Sequence, residues 1–229
     1  MAVRGNPRRP TGGGDLKGDQ GSPGLATRPP PLFAGRMTLR VTQYGEEVLR
    51  QPGRRVEVFD GALRELAQSM RATMRVEEGI GLAAQQVGEA LHFCVVDLGP
   101  AAREEGEVEM DGRPVPASLL QPLYLANATV EPEPAGEIAA EEGCLSFPGV
   151  RGEVPRPPRI RVSYQDLDGA PHTLRCAGLL ARCIQHEVDH CNGVLFIDRM
   201  DPAERTALRP ALRKLEKKAR RSALREPSA

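Results

Sequence analysis

Apolar residues recur at helical spacing in three segments of the chain, and each segment has a plausible start or stop signal. Asp60 can cap a first helix, whose apolar positions are Leu63, Leu66, Ala67, Met70 and Met74. A second helix is predicted over residues 179–191 and ends at Asn192-Gly193. A third follows Asp201, with apolar positions at Leu208, Leu212, Leu215 and Ala219. Pro210 should kink or split this last helix.

The middle of the chain is richer in strand patterns than in helix patterns. We expect a buried strand at residues 92–98, one or two strands at 120–130, and a hairpin formed by 159–164 and 172–176. Residues 79–88 are predicted to form a Gly- and Ala-rich loop, and the charged residues 99–114 a surface excursion. Because strands and helices do not alternate as βαβ units, the pattern predicts an α+β fold.

Composition excludes several classes of protein. The 31 basic and 31 acidic side chains disfavour a strongly basic nucleic-acid binder, so we expect no DNA partner. No stretch approaches 18 uninterrupted apolar residues, so no membrane span is expected. The five cysteines have no repeat spacing, which favours reduced thiols over a disulfide scaffold. With no secretory signal evident, we expect a cytoplasmic location.

The distribution of charge and apolar residues suggests three regions. Residues 1–36 are rich in Arg, Pro and Gly and are expected to be a disordered tail; an organellar transit peptide is disfavoured by Asp15 and Asp19. Residues 37–200 are expected to form the folded body, and 201–229 a basic amphipathic helix. Ten basic and four acidic residues lie between 199 and 229. That charge could bind RNA phosphates, or belong to a solvated helix packed on its own core.

The strongest chemical signal is the segment from His186 to His190, which reads H-E-V-D-H. Two histidines four residues apart lie on one face of a helix and can bind one cation, with Glu187 beside them able to reach a water molecule. The extended metzincin pattern would place another His where this chain has Phe196, which disfavours that protease class.

The third ligand has two candidates in the sequence. Glu204 lies downstream, but it also suits a helix start. Cys144 lies upstream in the segment E-G-C-L-S, and its thiolate is a good ligand for Zn²⁺ or Fe²⁺. Taken alone, Cys144 would be interpreted as a small buried apolar residue.

A third segment, residues 79–86, reads G-I-G-L-A-A-Q-Q. By itself it could be a turn of small residues, and it lacks the Lys and Ser or Thr of a phosphate-binding loop. Its small residues would permit close approach of the backbone to a ligand. Gln86 at its end could donate an N–H to a developing oxyanion.

Together these three segments resemble the signatures of the peptide deformylase family, G-x-G-L-A-A-x-Q, E-G-C-L-S and H-E-x-x-H, in the family's order. The resemblance covers about residues 38–200, so the body would be a deformylase catalytic domain. It implies short, mostly antiparallel sheets packed around a central metal-binding helix, with a helix at the C-terminus. It also implies hydrolytic removal of the formyl group from the N-terminal formyl-methionine of new polypeptides, with release of formate.

The resemblance assigns roles residue by residue. Cys144, His186 and His190 would be the metal ligands, with Fe²⁺ as the usual metal and Zn²⁺, Ni²⁺ or Co²⁺ as possible substitutes. Glu187 would be the general base and then the acid for the leaving amine. Gln86 and the backbone N–H of Leu145 would stabilise the oxyanion. The basic C-terminal helix would contact the ribosome.

The substrate-binding candidates are Gly81, Ile80, Gly143, Leu179, Cys183 and Arg151. Ile80, Leu179 and Cys183 would form the pocket for the methionine side chain, although plain core positions would look the same. Arg151 could hold Glu142, contact the peptide backbone or simply be solvated. Arg182 replaces an apolar residue usual in the family and could lie at the rim of the pocket.

Two other functions are compatible with parts of this pattern. One is a metallopeptidase with a cysteine ligand, and the other a catalytically silent ribosome-associated binding protein on the same fold. The joint presence of Cys144, Glu187 and Gln86 favours an active deformylase over both.

Overall fold

A computed structural model describes residues 38–103, 105 and 107–223. The predictions for residues 1–37 and 224–229, including the disordered tail, lie outside the described residues. The helices are α1 (Gly61–Val76), α2 (Gly178–Cys191), α3 (Pro202–Ala207) and α4 (Arg209–Ala223). The strands are β1 (Gly81–Ala83), β2 (Phe93–Val96), β3 (Glu107–Met110), β4 (Arg113–Pro116), β5 (Leu123–Pro132), β6 (Ile138–Gly143), β7 (Arg151–Arg156), β8 (Arg159–Gln165) and β9 (Pro171–Ala177).

The strands form two antiparallel sheets. The larger has seven strands in the order β1-β2-β5-β8-β9-β3-β4, and the smaller is the hairpin β6-β7. Helix α2 packs against β1, β2, β5, β8 and β9. The predicted α+β fold, with short antiparallel sheets around a central helix and a C-terminal helix, is therefore confirmed.

The central helix takes its position directly from the sheet, because β9 ends at Ala177 and α2 begins at Gly178 with no loop between them. Gly178 has φ of +63°, a conformation that favours glycine. The Glu105 carboxylate accepts hydrogen bonds from the backbone N–H groups of Leu179 and Leu180, which stabilises the start of the helix. Leu180 and Ile184 are fully buried beneath the sheet.

The predicted helices are present with their expected boundaries. The Asp60 carboxylate accepts hydrogen bonds from the N–H groups of Ala62 and Leu63 at the start of α1. The C-terminal segment is split into α3 and α4 next to Pro210. Leu212 and Leu215 are buried in a cluster with Phe147 and Phe196, so the apolar face of α4 packs on the body of the protein.

Two predicted irregular regions contain regular structure. Residues 79–88 hold the edge strand β1 followed by a 3₁₀ turn, Ala84–Val87. Residues 99–114 were expected to be a surface excursion, but they contain β3 and the start of β4. These strands pair with each other and are joined at Asp111-Gly112, and β3 also pairs with β9. None of the helices in the described part of the chain has the length and apolar character that a bilayer crossing requires.

Candidate metal centre and active-site cleft

The three signature segments meet at one place in the fold. Cys144 follows the end of β6, and His186 and His190 lie one turn apart on α2. One ligand atom from each of the three residues lies within 4.8 Å of the other two. The Cys144 Sγ is 3.3 Å from His190 Nε2. Among the described residues, this is the one group of three or more potential metal-binding side chains with such spacing.

The chemistry of these donors fits a divalent transition metal. A thiolate with two imidazoles suits Zn²⁺ or Fe²⁺ and leaves a coordination position for water. His186 Nδ1 is 2.9 Å from Glu142 Oε2, and because the carboxylate accepts, Nδ1 carries the proton and Nε2 is left for a metal. Burial alone would lower the pKa of His186, but hydrogen bonds to Cys144 and Glu142 hold it well above its usual value. Metal binding at this site therefore displaces a proton.

Glu142 is at the centre of a buried ionic network behind the ligands. Arg156 donates to both of its oxygens, at 2.6 and 3.0 Å, and Arg182 donates to Oε1 at 2.7 Å. Burial raises the pKa of Glu142, but hydrogen bonds from His186 and Arg156 outweigh it and lower that pKa to about 2. Arg156 also donates to Asp189 at 2.8 Å. Each buried charge of this network thus has a partner of opposite charge, which offsets the cost of removing it from water.

Glu187 lines the same cleft as two of the candidate ligands, Cys144 and His186. It is 4 % exposed, and its Oε2 atom has no hydrogen-bond partner among the described residues. Burial raises the pKa of Glu187 to about 7, against the opposing effect of the His186 charge. A carboxyl group with a pKa near neutrality can both accept and return a proton, which is the property of a general base and acid.

Gln86 is held beside the ligand cluster by its own carbonyl group. Its Oε1 accepts a hydrogen bond from the Ala83 N–H at 2.8 Å, so Nε2 is the end directed towards the site. That Nε2 lies 3.3 Å from the Cys144 Sγ and 3.5 Å from the Ser146 hydroxyl. Gln86 is 1 % exposed. Its orientation is therefore fixed before any substrate binds.

A cleft of about 820 Å³ opens onto the site and brings together most of the residues singled out in the sequence. The predicted site residues that line it are Ile80, Gly81, Gln86, Gly143, Cys144, Leu145, Arg151, Leu179, Cys183, His186 and Glu187. Ile80 and Leu179, which are 38 % and 39 % exposed, contribute apolar surface to the cleft. Apolar surface at the mouth of a polar cleft is suited to an apolar substrate side chain.

The structure excludes one of the three alternatives for Arg151 and adds residues that the sequence did not reveal. Arg151 does not hold Glu142; it is 67 % exposed and donates to Glu141 at 3.2 Å. Arg156 performs that task from the end of β7, and nothing in its local sequence distinguishes it from the other arginines. The sequence offered one signal for Asp189, which is its position within the predicted metal motif. Arg182 lines the cleft but is bonded to Glu142.

Comparisons with known proteins agree with this geometry. The family model for polypeptide deformylase matches residues 38–206. The chain is 49 % identical over 193 residues to a peptide deformylase of Opitutus terrae, covering 84 % of this chain and all of that one. It is 43 % identical over 163 residues to a peptide deformylase of Microchaete diplosiphon, covering 71 % and 79 %.

The chain is also similar to solved structures of peptide deformylases. The peptide deformylase of Thermus thermophilus matches with a TM-score of 0.66 and 34 % identity, covering 79 % of this chain and 99 % of that one. A peptide deformylase of Synechococcus elongatus, solved in complex with actinonin, matches with a TM-score of 0.63 and 39 % identity, covering 84 % and 89 %.

Proposed function

This chain belongs to the polypeptide deformylase family, and from that membership we propose which of its residues carry out the family's reaction. The reaction is the hydrolytic removal of the formyl group from the N-terminal formyl-methionine of newly made polypeptides. The protein is a metal-dependent hydrolase of this class. The matches do not favour a metallopeptidase or a silent binding protein.

The proposal rests on one observation, the convergence of Cys144, His186 and His190 within 4.8 Å of one another, with Cys144 and His186 lining the cleft. We assign these three residues as the metal ligands and Fe²⁺ as the native metal, with Zn²⁺, Ni²⁺ and Co²⁺ as substitutes. A divalent cation supplies Lewis acidity there and makes a water molecule reactive near neutral pH. Glu142 supports the assignment, because a carboxylate on the far nitrogen of a ligating histidine fixes the ring and raises its basicity.

The protein side chains move the protons and bind the reacting group. The Glu187 carboxylate accepts the proton of the attacking water and then passes it to the nitrogen of the leaving amine. The Gln86 Nε2 group and the backbone N–H of Leu145 donate to the formyl oxygen as negative charge develops on it. Support for this assignment comes from the buried Gln86 amide, whose other end is already anchored to Ala83.

The same cleft offers a pocket for methionine. We propose that Ile80, Leu179 and Cys183 contact the thioether side chain, and that the small residues Gly81 and Gly143 let the peptide backbone approach. Arg151 lies at the rim, where its exposed guanidinium could contact the peptide.

The ligand assignment is tested by metal analysis together with formate release, on protein purified without oxygen. Cys144→Ala should lose both bound metal and deformylation of a formyl-methionyl peptide. Cys176→Ala is the matched control, because Cys176 is a buried free thiol on β9. Retention of metal and activity by Cys144→Ala would exclude the proposed ligand set. Activity that is lost in air and restored by Fe²⁺ supports iron, whereas activity unaffected by air would point to Zn²⁺.

We also propose that α4 contacts ribosomal RNA, which would place the reaction in the cytoplasm beside emerging chains. Its apolar face is buried, and its exposed face carries a series of basic residues: Arg209, Arg213, Lys214, Lys217, Lys218, Arg220 and Arg221. Such a series can neutralise phosphates. The two ends of the chain are predicted to be separate regions, 1–36 and 201–229, around the catalytic body 37–200.

Ribosome pelleting tests this contact without removing the buried face of the helix. A variant with Lys214, Lys217 and Lys218 changed to Gln should pellet less and lose its dependence on salt. Changing Arg113, Arg159 and Arg161 to Gln removes the same number of exposed charges from the sheet and should have no effect. Equal, salt-sensitive pelleting of the two variants would exclude α4 as the contact.

A further inference from the structure

Arg182 occupies an unusual position between the two parts of the chain that supply the proposed metal ligands. It lies on α2 one turn before His186, and its side chain is 17 % exposed at the wall of the cleft. Its partners, however, belong to the β6-β7 hairpin, which leads into Cys144. The residue thus connects the helix that carries two ligands with the hairpin that carries the third.

The guanidinium makes three contacts with that hairpin. Nη1 donates to Glu142 Oε1 at 2.7 Å and to the Val154 carbonyl at 2.8 Å, while Nη2 donates to the Ile138 carbonyl at 2.6 Å. Ile138 lies on β6 and Val154 on β7, so one planar group spans both strands. A guanidinium has the fixed geometry that several simultaneous hydrogen bonds require.

The contact with Glu142 reaches the metal site indirectly. Glu142 Oε2 accepts from His186 Nδ1, and Oε1 accepts from Arg182. Arg156, at the end of β7, donates to the same carboxylate with Nε and Nη2. Without Arg182, the carboxylate would be held only by Arg156 and by His186, the ring that it orients. Arg182 adds a second cation on another element and so restrains the plane of the carboxylate against the imidazole.

We propose that Arg182 is a positioning residue, which holds the Glu142–His186 pair and ties α2 to the β6-β7 hairpin so that the ligand atoms keep their spacing. The alternative is that Arg182 binds the substrate directly. Its guanidinium is mostly buried and both terminal nitrogens already donate to the protein, which favours the positioning role. The inference rests on the ligand assignment proposed above.

The test compares Arg182→Met, Arg182→Lys and the wild-type protein, each loaded with Co²⁺. The first measurement is the rate of Co²⁺ release to a chromogenic chelator, without substrate. The second is the visible absorption spectrum of the bound Co²⁺, which reports coordination geometry. The third is kcat and KM for a formyl-methionyl peptide with metal in excess. Arg175→Met is the control, since Arg175 is a half-exposed arginine that also pairs with two carboxylates, Glu109 and Glu133.

We expect Arg182→Met to release Co²⁺ about 10-fold faster than wild type, the lower end of the effects seen for residues behind metal ligands. Its Co²⁺ spectrum should change, and kcat should fall by a similar factor while KM stays constant. Arg182→Lys keeps the charge but cannot bridge both carbonyls, so its release rate should be intermediate. If Arg182→Met fails to fold, the release rate of Arg182→Lys still tests the proposal. The control should match wild type in all three measurements.

Three results would overturn the inference. The first is a wild-type release rate and spectrum in Arg182→Met. The second is a change in KM or peptide preference with metal release unaltered, which would make Arg182 a substrate contact. The third is an Arg182→Lys variant indistinguishable from wild type. Because metal release needs no substrate, a wild-type protein that bound Co²⁺ but did not deformylate would contradict the proposed function alone.

Discussion

Gly81 lies so close to Glu187 that a Cβ atom built on it would overlap the Glu187 carboxylate and stand 2.8 Å from the Cys183 sulfur. The edge strand β1 therefore runs directly against the side of α2 that faces the cleft. A larger residue at position 81 would therefore displace the side chain of Glu187 or Cys183. It also means that the proposed base is held between a strand and its own helix, with no free volume on the strand side.

Gly81→Ala should reduce activity by displacing Glu187 and not by unfolding the protein. We expect kcat to fall by about 10²-fold, the loss that a 1 Å misplacement of a catalytic group can cause. The measurement is kcat with metal content determined in parallel. Gly61→Ala is the matched control, because nothing lies within 4 Å of a Cβ at that position and Gly61 is the first residue of α1. Equal activities of the two variants would contradict this account of Gly81.

Glu187→Gln should separate proton transfer from metal binding. The amide keeps the size of the side chain but cannot accept the proton of water, so we expect kcat to fall by about 10²- to 10⁴-fold with bound metal unchanged. Glu153→Gln, an exposed position on β7, should retain full activity. If Glu187→Gln kept most of its activity, the general base would have to be another group.

Much of the site was predictable because its sequence signals are local. The histidine pair, the helix that carries it and the cap at Asp60 all depend on contacts a few residues apart, which a spacing rule captures. The resemblance of the three segments to the family's signatures then made Cys144 the candidate for the third ligand, and its sulfur lies 3.3 Å from His190 Nε2. What spacing could not show was that β1 is a strand, because its three residues are held by pairing with β2 across the sheet.

The β6-β7 hairpin illustrates more clearly which structures a sequence pattern cannot predict. Its strands read I-A-A-E-E-G and R-G-E-V-P-R, with no clean alternation of apolar and polar residues. Their buried ionic contacts run from Arg156 to Glu142 across the hairpin and from Arg156 to Asp189 on α2. A buried ion pair depends on tertiary contacts and leaves no period in the sequence. For the same reason Arg151 was a reasonable partner for Glu142 on sequence grounds, but Arg156 is the one within reach.

Leu212→Ala tests whether α4 is part of the folded body. Leu212 is 7 % exposed and belongs to the cluster that contains Phe147, a residue that also lines the cleft. We expect the free energy of unfolding to fall by about 2 kcal/mol, at the lower end for a buried leucine. Denaturant unfolding measures it. Leu119→Ala, at a position 75 % exposed, should change stability by less than about 0.5 kcal/mol. Equal losses of unfolding free energy in the two variants would show that α4 does not pack on the body in solution.

The pH dependence of stability should reveal the ion pairs of His172. Its Nδ1 lies 2.7 Å from Asp111 Oδ2 and its Nε2 lies 3.3 Å from Asp166 Oδ2. The hydrogen bond to Asp111, with a smaller contribution from Asp166, raises the pKa of His172 above its usual 6.5. Both contacts need a donor, so they are complete in the protonated form. Their stabilisation is present below pH 6.5 and is lost as the pH rises through the folded-state pKa.

His172→Gln should therefore destabilise the protein at about pH 5.5 more than at about pH 8.5. The difference in unfolding free energy should stay below about 1 kcal/mol, because the pair is partly exposed to solvent. His92 provides a control of opposite sign, since burial lowers its pKa. Protonation of His92 disfavours the fold, so His92→Gln should be relatively more favourable at the lower pH. If both substitutions shifted stability in the same direction with pH, the assigned protonation of His172 would be wrong.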